Sequence, residues 1–189
     1  MIVYLHGFRS SPQSYKAQRL KAHMNELGLG PLFWCEQLPV SPRAAIALAE
    51  RAIAASATPV TVVGSSLGGY YATHLAEKHG LRAVLINPAV VAHLSLAEFV
   101  GPQTNLYTGE TFDFRLEHIE ALRAIEVPRL SRPEDVLLLV EEGDETLDYR
   151  QAVAKYAGCR QVVLPGGDHS FTRFADYMDA ILDFAGLLR

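Results

Sequence analysis

Gly64-Ser65-Ser66-Leu67-Gly68 sets a serine between glycines, directly after the apolar run Val60–Val63 and before a helical pattern reaching His79. That is the G-x-S-x-G spacing of a nucleophile held in a sharp strand-to-helix turn. The reason for the spacing is steric. Flanking glycines let neighbouring backbone approach a strained residue, and the turn lifts Oγ past the sheet edge. There, at a helix N-terminus, free N–H groups and the helix dipole favour developing negative charge. Gly69 keeps the helix bare where it packs on the sheet. Ser66 is the expected nucleophile; Ser65 would point away from the apex.

A serine nucleophile needs an imidazole to take its proton and return it to the leaving group. Of the seven histidines, His23, His74, His79 and His118 fall in helical patterns, where a packed or solvated ring is the simpler account. No pattern singles out His93, and His6 ends the first apolar run. His169 lies in Pro165-Gly166-Gly167-Asp168-His169-Ser170, a loop after the last predicted strand and on the same sheet edge as Ser66. It is the expected base. The orienting acid should come from another strand end. Asn87-Pro88 offers none, whereas Glu141-Glu142-Gly143-Asp144-Glu145 offers several. Gly143 permits a turn that swings Asp144 toward the imidazole; Glu145 and Asp148 are the alternatives. Asp168 is too close in sequence to reach Nδ1.

Acyl transfer also requires donors for an oxyanion. The Leu67 N–H follows the nucleophile, and His6-Gly7-Phe8 occupies the neighbouring loop, making the Phe8 N–H the second donor. Arg9 is either an anion contact or a surface arginine. Tyr70 and Phe171, with Phe8, either line an apolar acyl pocket or belong to the core.

Short apolar runs alternating with helical patterns position these residues. Strands are predicted at Ile2–Leu5, Leu32–Cys35, Val60–Val63, Ala83–Ile86, Val136–Val140 and Gln161–Leu164. Ser11-Pro12 and Ser41-Pro42 read as N-caps with proline at the first helical position, and Gly80 as the stop of the helix after Ser66. Further helices are expected at Leu94–Phe99, Arg115–Ala124, Asp148–Ala157 and Phe174–Phe184. The result is an α/β fold of about six mostly parallel strands with helices on both faces. The rhythm breaks between Pro88 and Pro133, where a loop rich in Gly, Thr and Asn lies between two helices. This segment, 88–133, is expected to be a small lid insertion within a single 1–189 domain, or else to pack beside the sheet.

Seventeen Lys and Arg against twenty-one Asp and Glu give a net charge of −4, which argues against a general grip on nucleic acid or anionic membrane. No apolar stretch approaches the ~20 residues that span a bilayer, and the N-terminus lacks a signal-peptide pattern. Two cysteines, Cys35 and Cys159, read most simply as reduced thiols, so a cytoplasmic location is expected. No His, Cys and Asp cluster has metal-ligand spacing, and no cofactor is expected.

The order Ser66, Asp144, His169, with Tyr4-Leu5-His6-Gly7-Phe8, resembles the α/β-hydrolase superfamily. More closely, the chain is similar to small bacterial esterases of the YqiA/YcfP type. The similarity is carried by His6-Gly7-Phe8-Arg9-Ser10-Ser11-Pro12, the serine turn with Tyr70-Tyr71-Ala72, Asn87-Pro88-Ala89, Gly143-Asp144-Glu145 with Leu147-Asp148-Tyr149-Arg150, and Gly166-Gly167-Asp168-His169-Ser170-Phe171. The resemblance implies an esterase or thioesterase acting on a small acyl substrate, with Ser66, Asp144 and His169 as triad, and it favours Asp144 over its neighbours. It also implies a minimal version of the fold, since the His-Gly turn, usually reached after two earlier strands, arrives here by residue 6. Glu141-Glu142 departs from the family pattern, which has at most one acid there. The rival expectation is a binding or interaction module that keeps the scaffold without turnover. Oligomeric state is not readable.

Overall fold

In the computed structural model, residues 1–188 are described, and the predicted apolar runs assemble into one parallel sheet. Its strands are β1 (Ile2–Leu5), β2 (Phe33–Trp34), β3 (Thr61–Ser65), β4 (Arg82–Ile86), β7 (Val136–Glu141) and β8 (Arg160–Leu164). The spatial order is β2-β1-β3-β4-β7-β8. Registers Leu5↔Gly64, Ser65↔Ile86, Ile86↔Leu139 and Glu141↔Leu164 bring the carboxyl ends of five strands to one edge.

Helices α1 (Tyr15–Glu26), α2 (Pro42–Ala54), α3 (Leu67–His79), α6 (Tyr149–Lys155) and α7 (Met178–Phe184) cover both faces. Side chains alternate along each strand, so each strand feeds two cores. Val3, Leu5, Val62, Leu85 and Leu138 pack toward Ile46 of α2 and Leu75 of α3. Ile2, Tyr4, Val63, Val84 and Leu139 pack toward Leu20 of α1 and Ile181 of α7. Burial on both sides explains why β3, β4 and β7 read as nearly unbroken apolar runs.

Two helix starts test the capping signals. Ser41 caps α2 as expected, its Oγ accepting from Ala44 N, with Pro42 at the first helical position. Ser11-Pro12 does not start α1. Ser11 Oγ accepts from Gln13 N in a local turn, and the helix begins three residues later with Ser14 as N-cap. Local side-chain bonding by serine competes with helix initiation and here it wins.

The 88–133 segment contains more structure than a loop. Between α4 (Ala92–Ser95) and α5 (Leu116–Ala124), β5 (Gly101–Thr104) and β6 (Thr111–Phe114) pair as an antiparallel hairpin. Asn105 closes its turn, with Oδ1 accepting from Tyr107 N and Thr108 N. Helix α5 packs against α2 and α3, the Tyr70 hydroxyl of α3 donating to Leu122 O at 3.0 Å. The hairpin instead reaches the loop after β1: Leu106 N donates to Arg9 O, Asn105 Nδ2 to Ser10 O, and Arg9 Nε to Thr104 O. Phe8 anchors this contact among Phe114, Phe99 and Phe112, with ring centroids 4.9, 5.7 and 6.0 Å away. Among the described residues, no helix is long and apolar enough to cross a membrane. Cys35 and Cys159 are unpaired, and burial pushes their thiols up to about 12 and about 11.

Candidate active site

Backbone strain concentrates at the carboxyl edge of the sheet. The four non-glycine residues with positive φ among those described are Arg9, Ser66, Asn87 and Phe171, in loops that follow β1, β3, β4 and β8. Such conformations persist only where the surroundings enforce them. At Ser66 (φ 55°, ψ −121°) the enforcement is visible. Ser66 N donates to Ile86 O and Ser66 O accepts from Gly69 N and Ala89 N. The flanking glycines allow the close approach: a Cβ on Gly64 would lie 2.1 Å from Gly68 O, and one on Gly68 would lie 1.9 Å from Leu5 O.

His169 Nε2 lies 3.1 Å from Ser66 Oγ, and its Nδ1 lies 2.8 Å from Asp144 Oδ2. A carboxylate only accepts, so Nδ1 carries the proton and Nε2 is free to accept from the serine hydroxyl. The Asp144 side chain is 2% exposed, and its Oδ1 also accepts from Thr146 N and Leu147 N. The Gly143 turn therefore delivers Asp144, and neither Glu145 nor Asp148, to the imidazole. Glu145 instead accepts from His169 N, and Asp148 caps α6.

The surplus acid Glu141 has its own task, one that sequence reasoning missed. At the end of β7 its carboxylate is fully buried and gathers the His169 loop. It accepts from Asp168 N, Thr172 N, Thr172 Oγ1, Arg173 N and Arg173 Nε, the last at 3.0 Å. Burial opposes ionisation of Glu141, but these bonds outweigh it and hold the carboxyl below its usual range. Asn87 holds the same loop by its carbonyls: Nδ2 donates to Asp168 O and His169 O, while Oδ1 accepts from Glu141 N. The only sequence signals were the extra acid and the Asn87-Pro88-Ala89 motif.

Across from His169, the loop after β1 is pinned by His6. Leu38 N donates to His6 Nε2 at 3.0 Å, which leaves Nδ1 to donate to Gly7 O. Burial pushes His6 below its ordinary pKa and keeps the ring neutral. The N–H groups of Phe8 and Leu67 have no hydrogen-bond partner among the described residues.

Two cavities meet at this loop. One, of about 410 Å³, is lined by Ser66, His169, Lys16, Tyr15, Leu106 and Tyr107 among others. The other, of about 230 Å³, is lined by Phe8, Leu38, Val40, Leu67, Tyr71 and Phe112, with Arg9 and Glu110 at its polar side. Arg9 thus borders a cavity, though its Nε is committed to the hairpin. Tyr70 and Phe171 line neither; both are buried in the two cores, and of the two expectations for them the packing role is the one their positions fit. Among the described residues, no group of three or more His, Cys, Asp or Glu side chains could hold a metal ion.

Solved structures share this fold. A hydrolase structure from Agrobacterium vitis S4, described as putative in its name, matches with a TM-score of 0.71 at 20% identity, over 97% of this chain and 87% of that one. A monoacylglycerol lipase from Paleococcus ferrophilus matches with a TM-score of 0.71 at 16% identity, over 99% and 94%. Est1E from Butyrivibrio proteoclasticus matches with a TM-score of 0.67 at 16% identity, over 97% and 85%. The fold is that of the α/β hydrolases. Residues 1–186 match one sequence family along nearly the whole chain, and the protein belongs to that family, described as uncharacterised protein family UPF0227.

Proposed function

We propose that the protein is a serine hydrolase that cleaves small carboxylic esters or thioesters through an acyl-enzyme. The observation that carries this reading is the continuous Ser66–His169–Asp144 hydrogen-bonded chain, at 3.1 and 2.8 Å, ending on a serine with positive φ. Ser66 Oγ attacks the carbonyl carbon as its proton passes to His169 Nε2, and Asp144 stabilises the imidazolium that forms. The Phe8 and Leu67 N–H groups, free of other partners, hold the oxyanion. Collapse breaks the C–O or C–S bond, and the leaving group takes the proton from Nε2. Water then adds to the acyl-enzyme, giving a proton to His169, which passes it to Ser66 Oγ as the acyl C–Oγ bond breaks and the acid leaves. The lipase among the structural matches has an ester-cleaving name, which agrees with this class. We read 88–133 as a lid insertion, because Leu106 and Tyr107 at the hairpin turn help wall the cavity that holds Ser66.

A fluorophosphonate probe tests the reading. It should label wild type and not Ser66→Ala, and the variant should lose about 10³-fold or more in kcat/KM on short acyl esters. Labelling or turnover that survives Ser66→Ala would overturn it.

A further inference from the structure

Ser66 and His169 both line the larger cavity and neither lines the smaller one. The atom that leaves must lie within hydrogen-bond reach of His169 Nε2, so the leaving group extends into the larger cavity. The smaller cavity, beside Leu67 and walled by Phe8, Val40, Tyr71 and Phe112, then suits the acyl chain.

The leaving-group cavity contains a cation. Lys16 Nζ donates to Ser170 O at 2.8 Å, one residue beyond the base. No carboxylate among the described residues lies within 4.0 Å of it, and an ammonium has three donors. Ser14 lines the same cavity, and its Oγ is buried with no hydrogen-bond partner among the described residues. Both residues stand at the start of α1, a 12-residue helix whose Tyr15, Lys16 and Ala17 N–H groups make no hydrogen bond among the described residues. A positive charge and a helix N-terminus thus meet beside the base, and among the described residues no carboxylate pairs with the ammonium.

We propose that the leaving group of the substrate carries an anionic substituent, a carboxylate or a phosphate, which Lys16 binds in the larger cavity. This rests on the serine hydrolase reading. A neutral leaving group would strip water from the ammonium and return nothing. The nearby carboxylates have other partners: Glu141 meets Arg173, Asp144 meets His169, and Asp168 Oδ1 accepts from Ser170 N. Burial lowers the Lys16 pKa to about 8, the expected state of an ammonium lacking a close counter-ion.

Three probes with one acyl group test this: 4-(butanoyloxy)benzoate, its methyl ester, and 4-(butanoyloxy)phenyl phosphate. Lys16→Met should lower kcat/KM about 10-fold or more on an anionic probe and less than about 2-fold on the methyl ester, while Lys16→Arg keeps most of the difference. The two anionic probes separate carboxylate from phosphate as the natural group. Raising the pH from ~7 to ~9.5 should erode the wild-type preference as Lys16 loses its proton. The titratable and charged groups around Lys16 are His169, His6, Tyr4, Tyr15 and Tyr107 lining the cavity, with Asp144, Glu141 and Asp168 nearby. Equal effects of Lys16→Met on all three probes, or none, would overturn the proposal. Absence of Ser66-dependent hydrolysis of every probe would overturn the hydrolase reading instead. The anion site is then read by calorimetry of 4-hydroxybenzoate and its methyl ester on Ser66→Ala protein. Tighter binding of the carboxylate, lost with Lys16→Met, supports the site, and equal binding refutes it.

Discussion

Glu141 touches no reacting atom, yet it fixes where His169 stands. Its two oxygens face only donors: backbone N–H groups of Asp168, Thr172 and Arg173, the Thr172 hydroxyl and the Arg173 guanidinium. A glutamine keeps the shape but must turn an NH₂ toward some of those donors. Glu141→Gln should therefore cost about 3 kcal/mol of stability, the range for breaking a buried charge pair. It should also lower kcat roughly 10- to 100-fold with little change in KM, because a small displacement of the base is expensive. A kcat that is unchanged once the folded fraction is known would show that Glu141 is structural only. The pH dependence has a definite sign. Since the folded pKa lies below the unfolded one, the Glu141 contribution is complete above the ordinary carboxyl range near ~4.5 and is lost as pH falls through the folded value. Urea midpoints should fall more steeply on acidification in wild type than in Glu141→Gln.

The hairpin is the element that distinguishes this edge of the sheet from a bare one. Its turn supplies Leu106 and Tyr107 to the cavity and bonds the backbone of Arg9 and Ser10. Replacing 105–110 with Asn-Gly should raise KM for small esters about 5- to 10-fold while leaving kcat within about 2-fold, since Phe8 stays packed on Phe114 and the hydrogen bonds of Ser66 and His169 do not run through the turn. A collapse of kcat would instead place the hairpin in control of the Phe8 loop. This element was not legible in the sequence, for a physical reason. Gly101-Pro102-Gln103-Thr104 has the residues that break strands, and Thr111-Phe112-Asp113-Phe114 is too short for its alternation to stand out. The parallel strands were legible because burial on both faces leaves continuous apolar runs. Asp144 and His169 were legible because each sits in a glycine turn at a strand end. Glu141 was not, because nothing in a run of acids tells which one the next loop will close over. The start of α1 was misread at Ser11 because a serine before proline caps a turn as readily as a helix.

At the scale of the molecule, two cores share one sheet, and the site depends on both. α3 carries Ser66 from one face, while the loop bearing His169 leads through a short turn into α7 on the other. Neither face can loosen without moving one partner of the Ser66–His169 pair, so the two cores should unfold together. Leu85 is fully buried in the α2–α3 core and Ile181 in the core beneath α1 and α7. Leu85→Ala and Ile181→Ala should each cost about 2–5 kcal/mol. Because the sheet separates them and they share no cluster, the double variant should show a nearly additive loss, within ~0.5 kcal/mol. Trp34, the single tryptophan, sits on the edge strand β2 and reports the outermost part of the sheet. Its fluorescence, far-UV circular dichroism and fluorophosphonate labelling should share one urea midpoint in wild type and in each single variant, as two-state unfolding demands. Separate midpoints in Ile181→Ala, with labelling lost before the Trp34 transition, would show that the α1–α7 face opens alone. The two faces would then not be coupled through Ser66 and His169.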